Sequence, residues 1–202
     1  MATIYNIPLY GTNVTVTETA TASVVKKWIK SMLFFHRHHY NNGTLIVGLG
    51  VQWTPIGQNP PADTLQLCIG SRILIFHLTH AETAPLALYQ FLENPSISFV
   101  GFWNHSDRSK LATSWANLEM CRDPYDLRFY AAMEYDDPEL KTASVPWIVK
   151  KCLGFDVQQR PDVSMSDWNR EYLTADQLLY ACTDAYCAFL IGKDLEVWEF
   201  DD

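Results

Sequence analysis

The sequence predicts an α/β fold built on a mixed sheet. Short, β-branched apolar runs at 44–53, 64–69, 73–78 and 97–103 read as buried strands. The first three follow one another with Gly70-Ser71 between the second and third, so they are expected to meander antiparallel. A helical segment at 86–92 stands before the fourth, and further helices follow it. With 202 residues the chain fits one compact domain.

Each element has a local reason. Ile4 to Thr17 alternates loosely around Gly11-Thr12, which predicts an N-terminal β-hairpin. Thr19 to Leu33 has helical spacing, with Val24, Trp28 and Met32 on one face and Lys26, Lys27 and Lys30 elsewhere. Asn41-Asn42-Gly43 is a turn signal that ends this first part, 1–42. Thr44 to Trp53 is a central strand closed by Pro55. Asn94-Pro95 bounds the strand at 97–103, and Ser106 to Leu118 reads as a helix opened by a capping Ser or Asn. The stretch 123–146 is polar and irregular, with short helical pieces. Val145 to Leu153 is helical with Pro146 in its first turn, and 154–168 is a loop. Thr174 as N-cap and Gln177 as its capping-box partner launch a long helix to about Leu195. A core at 43–195 is therefore followed by an acidic tail at 196–202.

Composition excludes several classes. Hydrophobic residues make up 48% and charged residues 19%, which excludes a disordered chain. No apolar run reaches the length of a membrane-spanning helix, and the first twenty residues lack the basic and apolar regions of a signal peptide. Cys68, Cys121, Cys152, Cys182 and Cys187 are odd in number and form no C-x-x-C pair, so buried, reduced thiols and a cytoplasmic location are expected. The N-x-Ser/Thr triplets at Asn13, Asn42 and Asn104 are read as chance. A net charge of −8 excludes binding of nucleic acid by uniform positive charge. It is an average, however. Residues 1–62 carry +3 and the remainder −11, with no acid between Thr19 and Ala62. The basic first third is the expected nucleic-acid-facing surface.

The chemistry is carried by three segments: 47–53, 99–111 and 177–186. Tyr180 and Asp184 stand one helical turn apart and share a face. The carboxylate can hold a divalent metal and the phenol can orient a water. Asp107 follows a buried strand at the start of a helix, where α/β sheets place ligand groups. Two convergent carboxylates suit Mg²⁺ or Mn²⁺ and phosphoryl transfer.

From Val47 to Leu195 the sequence resembles the DEDDy 3′–5′ exonucleases of the DnaQ-like superfamily, in the branch that includes the Werner-syndrome exonuclease domain. Leu65-Gln-Leu-Cys68 and Ile73-Leu-Ile-Phe76 match the strands after the family's first motif. Phe99-Val-Gly101 with Asp107 and Lys110-Leu111 matches the second, and Ser166-Asp-Trp168, Leu173, Gln177, Tyr180 and Asp184-Ala185 match the third. The resemblance implies an RNase H-like fold, here a mixed five-stranded sheet flanked by helices plus the hairpin. It also implies Asp107, Tyr180 and Asp184 as catalytic residues. The family's first motif reads G-L-D-x-E-W; here Gly50 stands at the aspartate and Gln52 at the glutamate. A two-metal site sets two cations about 3.5–4 Å apart among carboxylates. With two of four acids missing, Asp107 and Asp184 are the expected metal ligands and Gln52 a weakened, neutral one.

Whole-chain layout is closest to the small plant proteins of this family, which include the RISC-interacting clearing exoribonucleases. That resemblance implies single-stranded RNA as substrate, a homohexamer with active sites at subunit interfaces, and association with Argonaute proteins. Trp53 is read as mostly core with a capacity to stack on a base, and His105 as a phosphate contact or a cap. Lys26, Lys27 and Lys30, with Arg37 and the patch His36, His38 and His39, are candidate phosphate contacts. Two functions stand: a metal-dependent exoribonuclease, or a non-catalytic descendant that binds RNA or assembles with protein.

Overall fold

The computed structural model describes residues 1–200; Asp201 and Asp202 of the expected tail lie outside the described residues. Ala2–Leu9 (β1) and Thr12–Thr19 (β2) form the hairpin. Its two-residue turn is Tyr10-Gly11, one position earlier than expected, with φ of 47° and 82°. Positive φ at both positions matches the twist of the flanking strands. The hairpin is no appendage. β2 pairs parallel with Arg72–His77 (β5), so the sheet has seven strands rather than five, in the order β1-β2-β5-β4-β3-β6-β7. Leu45–Gln52 (β3), Thr64–Ile69 (β4) and β5 meander antiparallel as expected. Ile97–Gly101 (β6) pairs parallel with β3, and two residues of the stretch read as irregular, Tyr125–Asp126, form β7.

One layer of helices covers each face. Ala22–Phe35 (α1) buries Val25, Trp28, Ile29 and Met32 against β3, β4 and β5, with Val25 taking the place expected of Val24. Arg37–Asn41 (α2) and Leu86–Leu92 (α3) complete that side. The opposite face receives Ala175–Asp194 (α8), which the expected capping box opens: Thr174 Oγ1 accepts from Gln177 N–H, and Gln177 Oε1 accepts from Thr174 N–H. Leu127–Glu134 (α5), Val145–Leu153 (α6) and Pro161–Ser164 (α7) pack along α8.

Two glycines let α8 sit close. A Cβ on Gly48 of β3 would lie 2.0 Å from Ala185 O, and one on Gly192 of α8 would lie 2.8 Å from Val100 Cγ2. A buried polar knot ties the hairpin to the same layer. Glu18 accepts from Tyr5 O–H at 2.8 Å, from His77 Nε2 at 2.8 Å and from Leu173 N–H at 3.3 Å. These bonds hold its carboxyl below the usual carboxylate range although burial alone would raise it.

Three expectations are corrected. The helix foreseen over 106–118 is only Asp107–Ala112 (α4). Ser109, Thr113 and Ser114 turn their hydroxyls onto carbonyls three or four residues back, and Asn117 adopts φ 45°, so the helix ends early. The tail is not simply acidic surface, because Val197 is fully buried with Trp198 packed beside it. The thiols are all free, but Cys121 is exposed and Cys152 only half-buried.

The Gly48 contact gives a stability prediction. Gly48→Ala should cost about 3 kcal/mol or more, because a methyl 2.0 Å from a backbone carbonyl cannot be absorbed by a rotamer change. Urea unfolding measures it. A midpoint within error of the natural protein's would refute the close approach.

Candidate active site

β3 ends at Gln52, α4 begins at Asp107, and α8 presents Tyr180 and Asp184. Together they enclose a cleft of about 260 Å³, lined also by Gly50, Trp53 and Gln159. The three sequence-predicted catalytic residues therefore meet, across the sheet end and the helix above it.

Asp107 is 6% exposed. Ser106, not Asp107, is the N-cap of α4, and the Asp107 carboxylate makes no hydrogen bond among the described residues. Burial, then the charges of Asp126 and Asp184, hold its carboxyl well above the ordinary range. Asp184 is half-buried and accepts a 2.6 Å hydrogen bond from Gln159 Nε2. Burial pushes its carboxyl up to about 7, a rise that the Gln159 bond opposes. Tyr180 lies one turn before it, its ring 6.1 Å from that of buried Trp168. Burial, then the Asp184 charge, raises the Tyr180 phenol, so it stays a neutral O–H.

At the degenerate first motif the strand has been filled from the side. Gly50 faces Gln66 across the β3–β4 ladder, and Gln66 Oε1 lies 2.8 Å from where a Gly50 Cβ would stand. Gln66 is fully buried, its Nε2 donates to Thr64 Oγ1 at 2.7 Å, and its Oε1 has no partner among the described residues. The donor set facing the cleft is thus two carboxylates and the amide of Gln52. Among the described residues no group of three or more His, Cys, Asp or Glu side chains is placed to hold a metal. This set fits one Mg²⁺ or Mn²⁺, which takes one or two carboxylates and completes its shell with water and substrate phosphate. It does not fit a two-metal site.

Other candidates fall elsewhere. Trp53 lines the cleft and carries the Lys110 ammonium 4.9 Å from its ring centre. Lys110 is itself buried, donating to Asn59 Oδ1 and Pro60 O, and so pins the loop after the first motif. His105 is exposed and lies outside the cleft lining. Lys26, Lys27 and Lys30 are on α1, in the other helical layer, and line a different groove. His36, His38 and His39 sit around α2, near the end of the sheet away from Gln52, where His36 touches Gly70. Sequence reasoning missed Gln159 and Gln66. Gln159 comes from an irregular loop with no periodic signal. Gln66 was signalled only by its place opposite Gly50.

No helix of the described residues is long and apolar enough to cross a membrane. No protein-family model matches the chain. Among characterised proteins, 160 residues covering 74% of the chain are 32% identical to the bifunctional 3′-5′ exonuclease/ATP-dependent helicase WRN of Mus musculus. A putative 3′-5′ exonuclease of Acanthamoeba polyphaga mimivirus is 22% identical over 92% of the chain, and the human exonuclease mut-7 homolog 25% over 74%. The chain spans 11%, 47% and 20% of those proteins, respectively. The fold recurs in the Aedes aegypti Nibbler EXO domain, with a TM-score of 0.69 and 14% identity, covering 97% of this chain and 93% of that one. It recurs also in Escherichia coli RNase D, an exoribonuclease involved in structured RNA processing, with a TM-score of 0.66 and 16% identity, over 90% of this chain and 44% of that one. By the ordered motifs, the seven-stranded RNase H-like sheet and these relatives, the chain belongs to the DnaQ-like 3′–5′ exonuclease family.

Proposed function

We propose that this chain is a metal-dependent 3′–5′ exoribonuclease acting on single-stranded RNA through one domain spanning 1–202. The convergence of Asp107, Tyr180 and Asp184 on one cleft carries the reading. Asp107 and Asp184 would hold Mg²⁺ or Mn²⁺, with Gln52 offering its amide oxygen. A bound divalent cation supplies charge neutralisation for the scissile phosphate and the departing 3′ oxygen. The protein's own groups do the rest. The Tyr180 phenol, kept neutral, donates to or accepts from the attacking water and aims it at the terminal phosphate. Gln159 donates to Asp184 Oδ1 and so orients the carboxylate that lines the cleft. Trp53 offers a ring to the terminal base. The products are nucleoside 5′-monophosphates.

RNA as substrate, a homohexameric assembly, association with Argonaute proteins, a cytoplasmic location and a role in clearing RISC cleavage fragments are proposed on the resemblance to the small plant exoribonucleases. The second reading, a binding or assembly module without catalysis, is favoured by one observation: Gly50 lacks a side chain and Gln66 occupies the space beside it.

Two experiments decide between them. End-labelled single-stranded RNA incubated with Mn²⁺ should shorten from its 3′ end, and EDTA should stop the reaction. Asp107→Ala and Asp184→Ala should each slow it at least about 100-fold, the rate equivalent of the several kcal/mol a metal ligand set contributes. Equal shortening by these variants, or none by the natural sequence, removes the exonuclease reading. The double variant Gly50→Asp/Gln52→Glu should bind Mn²⁺ more tightly and cleave at least about tenfold faster, once the flexible end of Gln66 moves aside. Weaker Mn²⁺ binding by the double variant would mean that the cleft no longer accepts the family's acids.

A further inference from the structure

The outer face of α1 is built from two parallel rows at i, i+4 spacing. One is Ser23, Lys27, Ser31 and Phe35; the other is Lys26, Lys30 and Phe34. Together these seven residues line an open groove of about 380 Å³. Each row ends at a phenylalanine, and both rings are open to solvent, Phe34 at 64% and Phe35 at 57% exposure. The rings meet edge to face at 5.8 Å. A guanidinium lies over each: Arg37 at 5.2 Å from the Phe34 centroid and Arg72 at 4.8 Å from that of Phe35. Two guanidiniums thus flank the aromatic pair, and three lysines line the same groove.

Local stability does not explain this face. Lys26 and Lys30 are like charges at i, i+4, which weakens a helix. No acid lies between Thr19 and Ala62 to relieve them, and none of the three lysines makes an ion pair among the described residues. Nor are the phenylalanines needed for packing, since the buried face of α1 is supplied by Val25, Trp28, Ile29 and Met32. The groove is one that a polyanion with flat, stackable groups would complete. From Lys26 to Phe34 the helix rises about 12 Å, the length of three to four stacked nucleotides at about 3.4 Å each.

We propose that the α1 face is a second, non-catalytic binding site for single-stranded nucleic acid, on the helical layer opposite Asp184. The three lysines and two serines take the phosphates, while Phe34 and Phe35 stack on bases. The ligand class rests on the exonuclease reading; the site itself stands on α1 alone. Its role is to hold the body of a strand while a 3′ end is presented to the cleft.

The test is fluorescence anisotropy of a labelled uridine 15-mer with the full chain in EDTA, where nothing is cleaved. Lys26→Ala/Lys27→Ala/Lys30→Ala should weaken binding at least about tenfold and flatten the log–log salt dependence by about 2, because a single strand loses about 0.7 per phosphate contact. The triple Lys→Arg variant should bind like the natural protein. Phe34→Ala/Phe35→Ala should weaken binding about tenfold with the salt slope unchanged. All of these side chains are exposed, and thermal melts confirm that the variants fold. Unchanged affinity in the lysine and phenylalanine variants, or no binding by the natural protein, overturns the proposal. Equal affinity for polyglutamate, insensitive to Phe34→Ala/Phe35→Ala, would assign the face to an acidic protein and also overturn it. If binding depends on α1 but no shortening occurs in Mn²⁺, the exonuclease reading fails and this site stands.

Discussion

The contact between Gly48 and the Ala185 carbonyl organises this molecule. A sheet and a helix ordinarily meet through two layers of side chains. Here the strand contributes none at that point, and α8 lies with its backbone against β3. Gly192 repeats the arrangement about two turns further along α8, where the helix gives up its side chain to Val100 and Ile46. The close approaches at these two points set how near α8 can lie to the sheet. Asp184 adjoins the first of those points, and Tyr180 lies one turn toward the helix start. Their place over the end of β3 follows from the glycines, and β6 then delivers Asp107 into the same cleft.

That geometry is intact where the chemistry is depleted. Gly50 and Gln52 remove two negative charges from the cleft without altering the strand that carries them. Asp107 and Asp184 remain, both pushed up by burial, and no cation among the described residues pairs with them. The nearby basic groups are committed elsewhere: Lys110 holds Asn59 and Pro60, and Arg128 forms a close ion pair with Asp126. A buried and a half-buried carboxylate without a counter-charge are costly to a fold that gains nothing from them. Such a pair is relieved by protonation or by a bound cation, and the proposed metal would be one such cation.

Local signals made much of this legible. The Thr174–Gln177 capping box, the turn chemistry at Gly11 and the apolar runs of β3 to β6 each depend on a few neighbouring residues, and each was readable. The motif spacing anticipates that Asp107, Tyr180 and Asp184 share one cleft, because strand and helix periodicity fix where those side chains point. What stayed hidden depends on contacts distant in sequence. The parallel pairing of β2 with β5 is made across more than fifty residues and leaves no mark on either strand. Gln159 reaches Asp184 from a loop without pattern. The early end of α4 comes from hydroxyls returning to the backbone, which a periodicity count cannot register. Lys26, Lys27 and Lys30 were recognised as a basic cluster, but charge along a sequence carries no information about which layer of the fold displays it.

That last separation has a physical consequence for recognition. A cleft whose only charged lining groups, among the described residues, are two carboxylates offers a polyanion no attraction of its own. Encounter with nucleic acid must be driven from elsewhere on the surface. The excess of positive charge in residues 1–62 is displayed on the layer opposite the cleft, where it attracts a strand without disturbing the field at Asp107 and Asp184. Placing those lysines beside the cleft would have brought strand capture closer to the chemistry, but it would also have set ammonium groups against the proposed cation. Distributing the two tasks over opposite faces of one sheet removes that conflict. It also explains how a chain with a net charge of −8 can approach nucleic acid.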